Sequence, residues 1–428
     1  MQGFFTRLCD RLRSGRWLHR RRLLAYGLIL GGIELTTLLF FVAGTHGLIV
    51  PLKQPTTTDF ASFYAAGALA DAGTPALAYD QAAHYAAEQQ ATAPGIIYQF
   101  FYYPPVFLLF CAVLARFPYL VAFALFEGAT LLLYLLIGRR ILDERGGAGL
   151  VPLLAFPSVF WTLGFGQNAF LTAALFGGAL LLVDRRPAIA GLLFGALCYK
   201  PHFGLLIPVA LAAGGRWRAF AAAGAAVAGL VLLSGGVFGW ETWRAFFTSA
   251  FASHATYESG RIGFAGMISP FAAVRLIGGS VVPAYAVQAS AMLAAAALVA
   301  WVWYREASLP LRAAALCAGT LLALPVALVY DLMLAAVALA WLGRAARQGG
   351  FLPWEKLGLG VAFLIPLVAR FLGREAHLPL APFVAVLLLA AVIARFRREA
   401  AAGMTVAPPA APPRRDYGVG REGGLRQA

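Results

Sequence analysis

Apolar runs of roughly twenty residues, separated by short polar turns, recur from residue 23 to residue 395. Within them the apolar positions are continuous and do not alternate, which points to membrane-spanning helices and away from barrel strands. The pattern predicts an all-α polytopic membrane protein of about a dozen crossings. Spans fall at about 23–43, 119–138, 148–165, 168–184, 187–200, 202–214, 218–238, 283–304, 310–329, 331–344, 354–372 and 378–396. The run 104–117 is apolar but short for a crossing, and is read as a re-entrant or outer-leaflet helix. The runs on either side of Lys200-Pro201 are also short and read as a broken pair. The first run is too long for the apolar segment of a cleaved leader, so it is read as an uncleaved anchor.

Two stretches interrupt this regime. In residues 44–103 the apolar positions Phe60, Phe63, Tyr64 and Gly67 follow helical spacing, with Thr58 or Asp59 placed to cap the helix. A second helix is expected over 75–90, with Thr74 as cap and Pro75 in the first helical position. Both are read as interfacial helices. The other polar stretch, 239–280, is a second loop on the same side.

Charge orients these elements. The chain is 61% hydrophobic and only 12% charged, about half the charged fraction of a soluble domain. Its net charge of +15 would suit a nucleic-acid partner if it were spread over one face. Instead it sits at span ends. Residues 7–22 hold seven Arg against one Asp, and the segment from Arg395 onward holds seven Arg against three acids. Such flanks mark the cytoplasmic side and suit contact with anionic headgroups. The loop from His46 to Tyr103 has one Lys and four acids, so it is placed outside. The resulting plan is a basic cytoplasmic arm (1–22), a membrane domain (23–398) with outer loops at 44–103 and 239–280, and a disordered cytoplasmic tail (399–428). No nucleic acid is expected as a partner. The four cysteines, Cys9, Cys111, Cys198 and Cys317, form no CxxC or Cys/His cluster, which argues against a zinc site or a disulfide framework.

With arginine pairs such as Arg185-Arg186 placed inside, several unusual residues gather at the outer end of the spans. They are Asp59, Tyr102-Tyr103, Gln167-Asn168, Lys200, His202, His254, Arg261 and Tyr330-Asp331. Ionisable residues in or at the edge of spans are costly, which makes each a candidate for function. Each also has a plainer explanation. Asp59 could cap a helix, Gln167-Asn168 could form a turn, and Lys200 could reach up to the interface. His254 and Arg261 could be ordinary loop residues, and Asp331 could complement a helix dipole. Lys200 stands out because the chain has only three Lys, and this one lies between two apolar halves just before a proline.

The pattern DFxxFYxAGxLxxxGxPxxxYD at 59–80 is followed by YPP at 103–105, GQN at 166–168, KP at 200–201 and YDL at 330–332. This set resembles the bacterial polyprenyl-phosphate-sugar-dependent glycosyltransferases of family 87, a group that includes mycobacterial phosphatidylinositol mannoside mannosyltransferases. The likeness is closest over Thr58–Pro208 and looser beyond residue 215. It implies the GT-C architecture, an acidic catalytic residue in the first outer loop, here Asp59, and inversion at the anomeric carbon. The donor implied is a hexose, by family likeness mannose, on a polyprenyl phosphate. The acceptor would be a lipid- or glycan-linked hydroxyl on the outer side of the bacterial inner membrane, with both termini cytoplasmic. Lys200, His202 and Arg261 are then candidates for the donor phosphate. Tyr64, Tyr102, Tyr103, Gln167, Asn168, His254 and Asp331 are candidates for sugar or acceptor. No cofactor or metal is expected. The competing reading is a transporter or flippase of a lipid-linked sugar.

Overall fold

The computed structural model describes residues 2–44, 59–144 and 146–403. Among these residues the chain is helical almost throughout and has no β-strand, only a single bridge between Met267 and Leu328. A short basic helix, α1 (Gln2–Ser14), ends at Gly15 in the left-handed conformation (φ 63°) and leads into α2 (Arg20–Gly44). The first polar stretch holds α3 (Phe60–Asp71), a 3-10 turn at Pro75–Tyr79 and α4 (Gln81–Ala91). Next come α5 (Pro105–Leu114), α6 (Tyr119–Leu142), α7 (Leu150–Leu154), α8 (Pro157–Phe165), α9 (Ala169–Leu182), α10 (Pro187–Ala196) and α11 (Ile207–Ala213). After α12 (Trp217–Phe238), the second polar stretch is itself helical: α13 (Trp240–Ala252), α14 (His254–Glu258) and α15 (Pro270–Leu276). The chain then runs through α16 (Val281–Tyr304), α17 (Leu309–Ala323), α18 (Met333–Gly349), α19 (Glu355–Ala376) and α20 (Pro382–Ala401).

Among the described residues, six stretches can cross a bilayer by length and composition: Arg20–Phe41, Tyr119–Leu142, Trp217–Phe238, Val281–Tyr304, Val329–Gly349 and Glu355–Ala376. The pair α7 and α8, bent by 64° just before Pro157, makes a seventh if counted as one span. This makes the chain a multi-pass membrane protein. The dozen crossings expected from hydropathy are not reached by length alone, because several apolar runs form short helices. The 14 residues of α9 reach only about 21 Å, against a hydrocarbon core of about 30 Å. Such short helices are buried by their neighbours: α17 is buried at nearly every position. Hydropathy registers the apolar run but not whether lipid or protein covers it.

The long helices run between two polar layers. One is a belt of ion pairs: Arg20 with Glu144, Arg216 and Arg312 with Asp184, Arg344 with Asp143, and Arg395 with Glu355. Arg20 and Arg395 in it come from the arginine-rich flanks of the first and last spans. The N-terminal arm is fastened to the same layer. Lys356 Nζ donates to the carbonyls of Gly15 (3.1 Å) and Leu18 (2.7 Å), and the Trp354 amide donates to Arg13 (2.9 Å). The opposite ends of α8, α9, α17, α18 and α19 carry the candidate residues.

The first polar stretch is built into this second end. Helix α3 is apolar on all sides, so it is buried nearly all round between α4 and α5 and does not rest on one stripe. The single helix expected over 75–90 is divided at Asp80, whose carboxylate accepts the Ala83 amide (2.9 Å) and caps α4. α3 and α5 lie side by side in parallel. Phe63 meets Phe107 edge to face (5.1 Å), Gly67 lies against Cys111, and Asp71 pairs with Arg116 (2.9 Å). A Cβ on Gly67 would fall 2.1 Å from the Cys111 carbonyl oxygen. Gly67→Ala is therefore expected to cost about 1–3 kcal/mol by forcing the helices apart, despite the better helix propensity of alanine. Thermal unfolding of the purified variant measures this, and an unchanged melting temperature would contradict the close approach.

Candidate active site

Asp59 precedes the first turn of α3. Its backbone is already helical (φ −58°, ψ −19°), and its side chain makes no capping hydrogen bond. The carboxylate instead reaches across to Gln167, whose Nε2 donates to Oδ2 at 2.6 Å. Capping therefore does not account for the residue. Asp59 Oδ1 has no hydrogen-bond partner among the described residues.

Gln167 is presented by the turn between α8 and α9. Gly166 ends α8 in the left-handed conformation (φ 63°), and the Gln167 amide closes back on the Thr162 carbonyl (3.0 Å). A glycine suits that position because a side chain there would be strained. Gln167 Oε1 accepts from the Tyr103 hydroxyl (3.2 Å) and the Asn168 amide (3.3 Å). With its oxygen so engaged, the Gln167 amide has its NH2 turned to Asp59, an arrangement that suits the ionised carboxylate.

The third segment is the break between α10 and α11. Two 3-10 turns, Leu197–Tyr199 and Pro201–Gly204, flank Lys200. Lys200 Nζ donates to Asp331 Oδ1 at 2.6 Å and to Asn168 Oδ1 at 3.2 Å, over the rings of Phe203 and Tyr330. Asp331 lies in a further 3-10 turn, Val329–Leu332, between α17 and α18, and its Oδ2 accepts the Leu328 amide (3.0 Å). Lys200 and Asp331 are both buried.

Helix α19 adds Arg370. Its guanidinium lies over the rings of Trp161 (5.3 Å) and Phe165 (5.1 Å), which stack on each other, and Trp161 Nε1 donates to the Pro366 carbonyl (3.0 Å). Arg370 lies outside the motifs that carry the family resemblance. The signal was nevertheless present, as a lone arginine inside the apolar run FLIPLVARFLG.

Burial dominates the electrostatics of Asp59. The side chain keeps a partly exposed edge, but protein surrounds the rest and raises its pKa to about 6. The Gln167 hydrogen bond and the charges of Arg370 and Lys200 pull the other way, while Asp331 pushes it further up. Beneath α3, His84 Nε2 donates to the Ser62 carbonyl (3.0 Å), and Glu88 accepts the Gln99 amide (3.1 Å). Burial lowers His84 to about 4 and raises Glu88 to about 8, so a neutral pair seats the helix at neutral pH.

The structure thus brings Asp59, Tyr103, Gln167, Asn168, Lys200 and Asp331 into one cluster. Other candidates lie around it. The His202 ring packs on Phe203 (5.2 Å) next to Lys200. Tyr102 stacks on Phe100 (5.1 Å), approaches Tyr257 (5.7 Å) and feels the charge of Arg261, so these belong to the contact between the two polar stretches. The Tyr64 hydroxyl donates to the Phe117 carbonyl (2.9 Å) and its ring packs on Tyr119, outside the cluster. His254 opens α14, and its side chain lies outside the described residues.

The family model of glycosyltransferase family 87 matches residues 101–326. The matched stretch contains Tyr103, Gln167, Asn168 and Lys200 and leaves Asp59, Asp331 and Arg370 outside it. No curated protein and no solved structure matches the chain.

Proposed function

We propose, from the premise that the chain belongs to glycosyltransferase family 87 and is a membrane glycosyltransferase, that it moves a hexose, by family likeness mannose, from a polyprenyl phosphate to the hydroxyl of a lipid- or glycan-linked acceptor. The observation that carries this reading is the placement of Asp59. Its carboxylate is held by Gln167 through one oxygen, leaves the other free of protein partners among the described residues, and faces two cations.

In the proposed step the acceptor hydroxyl gives its proton to Asp59 as its oxygen attacks the anomeric carbon. The bond from that carbon to the phosphate oxygen breaks, and its electron pair leaves with the polyprenyl phosphate. Attack opposite the leaving group inverts the anomeric centre. Gln167, fixed by Tyr103, keeps the base in position. Tyr103 and Asn168 border the sugar. Tyr102 from the first polar loop, with Arg261 and the segment at His254 from the second, faces the acceptor. The reaction takes place on the outer side of the bacterial inner membrane.

Membrane vesicles supplied with a polyprenyl-phosphate hexose and a panel of glycolipid acceptors test the proposal. A new, inverted glycosidic bond is expected. Turnover should rise about tenfold per pH unit up to roughly 6, where Asp59 loses its proton, and level off above about 7. Movement of the lipid-linked sugar without bond formation would make the chain a transporter, and equal transfer from a nucleotide sugar would refute the donor.

A further inference from the structure

The two cations near Asp59 differ in standing. Lys200 is neutralised: Asp331 holds it at 2.6 Å, and its remaining contacts are Asn168 and two aromatic rings. Its charge is committed within the protein. Arg370 has no hydrogen bond and no ion pair among the described residues, and its recorded neighbours are the rings of Trp161 and Phe165. It sits in a stretch long and apolar enough to span a membrane, where a charge without a counter-ion is costly and cation–π contact recovers only part of that cost. Its field nevertheless reaches the Asp59 carboxyl, and no salt bridge joins the two. A charge held near the base, oriented by a pinned aromatic pair and without a hydrogen-bonding or ionic partner among the described residues, is suited to an anion that arrives with the substrate. A guanidinium is suited to phosphate in particular, since its planar fork can donate two parallel hydrogen bonds.

We propose that Arg370 is the phosphate grip of the site, binding the phosphate of the lipid-linked donor and taking up the negative charge released when the anomeric carbon–oxygen bond breaks. This rests on the transfer reading above. The Lys200–Asp331 pair then positions Asn168 and does not contact the phosphate. Trp161 and Phe165 hold the guanidinium plane, so lysine at position 370 is a poor substitute.

The test measures equilibrium binding of a short-chain polyprenyl phosphate, the leaving product, to purified protein in detergent, so it does not depend on turnover. R370M is expected to bind on the order of 10–100-fold more weakly than wild type, and R370K several-fold more weakly. Unliganded R370M should melt at or above the wild-type temperature, because it removes an unpaired charge from an apolar helix. Equal binding by R370M and wild type would overturn the grip. So would a lowered melting temperature with unchanged binding, which would make Arg370 structural. Should R370M not fold, R370K carries the test, and wild-type affinity in R370K refutes the fork. A glycerophosphate headgroup in parallel covers the other source of phosphate. Weakening confined to that probe would put Arg370 on the acceptor and overturn the proposal. If wild type ignores polyprenyl phosphate, the donor class itself fails. If wild type binds it and R370M binds equally, only the role of Arg370 fails.

Discussion

Asp59→Asn is expected to lower turnover by about 10²–10⁴-fold while leaving donor binding intact. The substitution separates chemistry from structure. Gln167 Nε2 can still donate to the remaining side-chain oxygen, so the contact at 2.6 Å survives, but an amide cannot take the acceptor's proton. No helix cap is lost, because the aspartate makes none. Stability should move in the opposite direction to activity. The folded-state pKa is raised from 3.8 to about 6, so the folded protein favours the protonated acid. That contribution is fully present below about pH 3.8 and is lost as pH rises through about 6. At pH 8 the ionised carboxylate therefore costs on the order of 3 kcal/mol, which asparagine avoids. Asp59→Asn should melt above wild type at pH 8, and the gap should close toward pH 4. Near-normal turnover would remove Asp59 from the role of base. A variant less stable than wild type at pH 8 would refute the buried-charge account.

Lys200→Met is expected to destabilise the protein by about 3–5 kcal/mol, since it strands a buried carboxylate. The pair joins the break between α10 and α11 to the break between α17 and α18, and both partners are almost wholly enclosed. Asp331→Leu should cost a comparable amount by stranding the ammonium. The double variant should recover most of the loss, because two apolar side chains can fill the space without a charge to satisfy. It should still turn over slowly, because Asn168 loses the donor that orients it. Thermal unfolding of the four proteins gives the coupling. Single-variant costs below about 1 kcal/mol each would show that the pair is solvated and not the closure inferred from its burial.

Much of this arrangement is legible in the sequence. Continuous apolar runs and arginine-rich ends give a helical membrane protein with a basic belt, and placing those arginines on one side brings Asp59, Gln167, Lys200 and Asp331 to the other. That convergence needs only the direction of each span. Three things are hidden, each for a physical reason. The direction of the Asp59 side chain is one, because a cap and a base occupy the same position before a helix. Another is the Lys200–Asp331 pair: a separation of 131 residues exceeds anything helical spacing can register, so each residue looks like an isolated charge. Arg370 is the third, lying beyond the stretch where family likeness is usable and inside a run whose hydropathy masks a single charge. The short helices follow the same logic, since burial by protein and burial by lipid select the same side chains.

The long sequence separations of these contacts also order the making of the protein. Asp59 meets Gln167 across 108 residues, and Lys200 meets Asp331 across 131. In a chain inserted from its N-terminus, the Asp59 carboxylate emerges well before the amide that orients it, and Lys200 lies between apolar segments with no counter-ion until the turn at 329–332 is in place. Arg370 comes later still. The centre is therefore completed late: synthesis must pass the turn at 329–332 before the lysine is neutralised and reach α19 before the second cation exists. For that interval Lys200 lies between apolar segments without the carboxylate that neutralises it, and an unpaired charge at that depth is costly until the turn arrives.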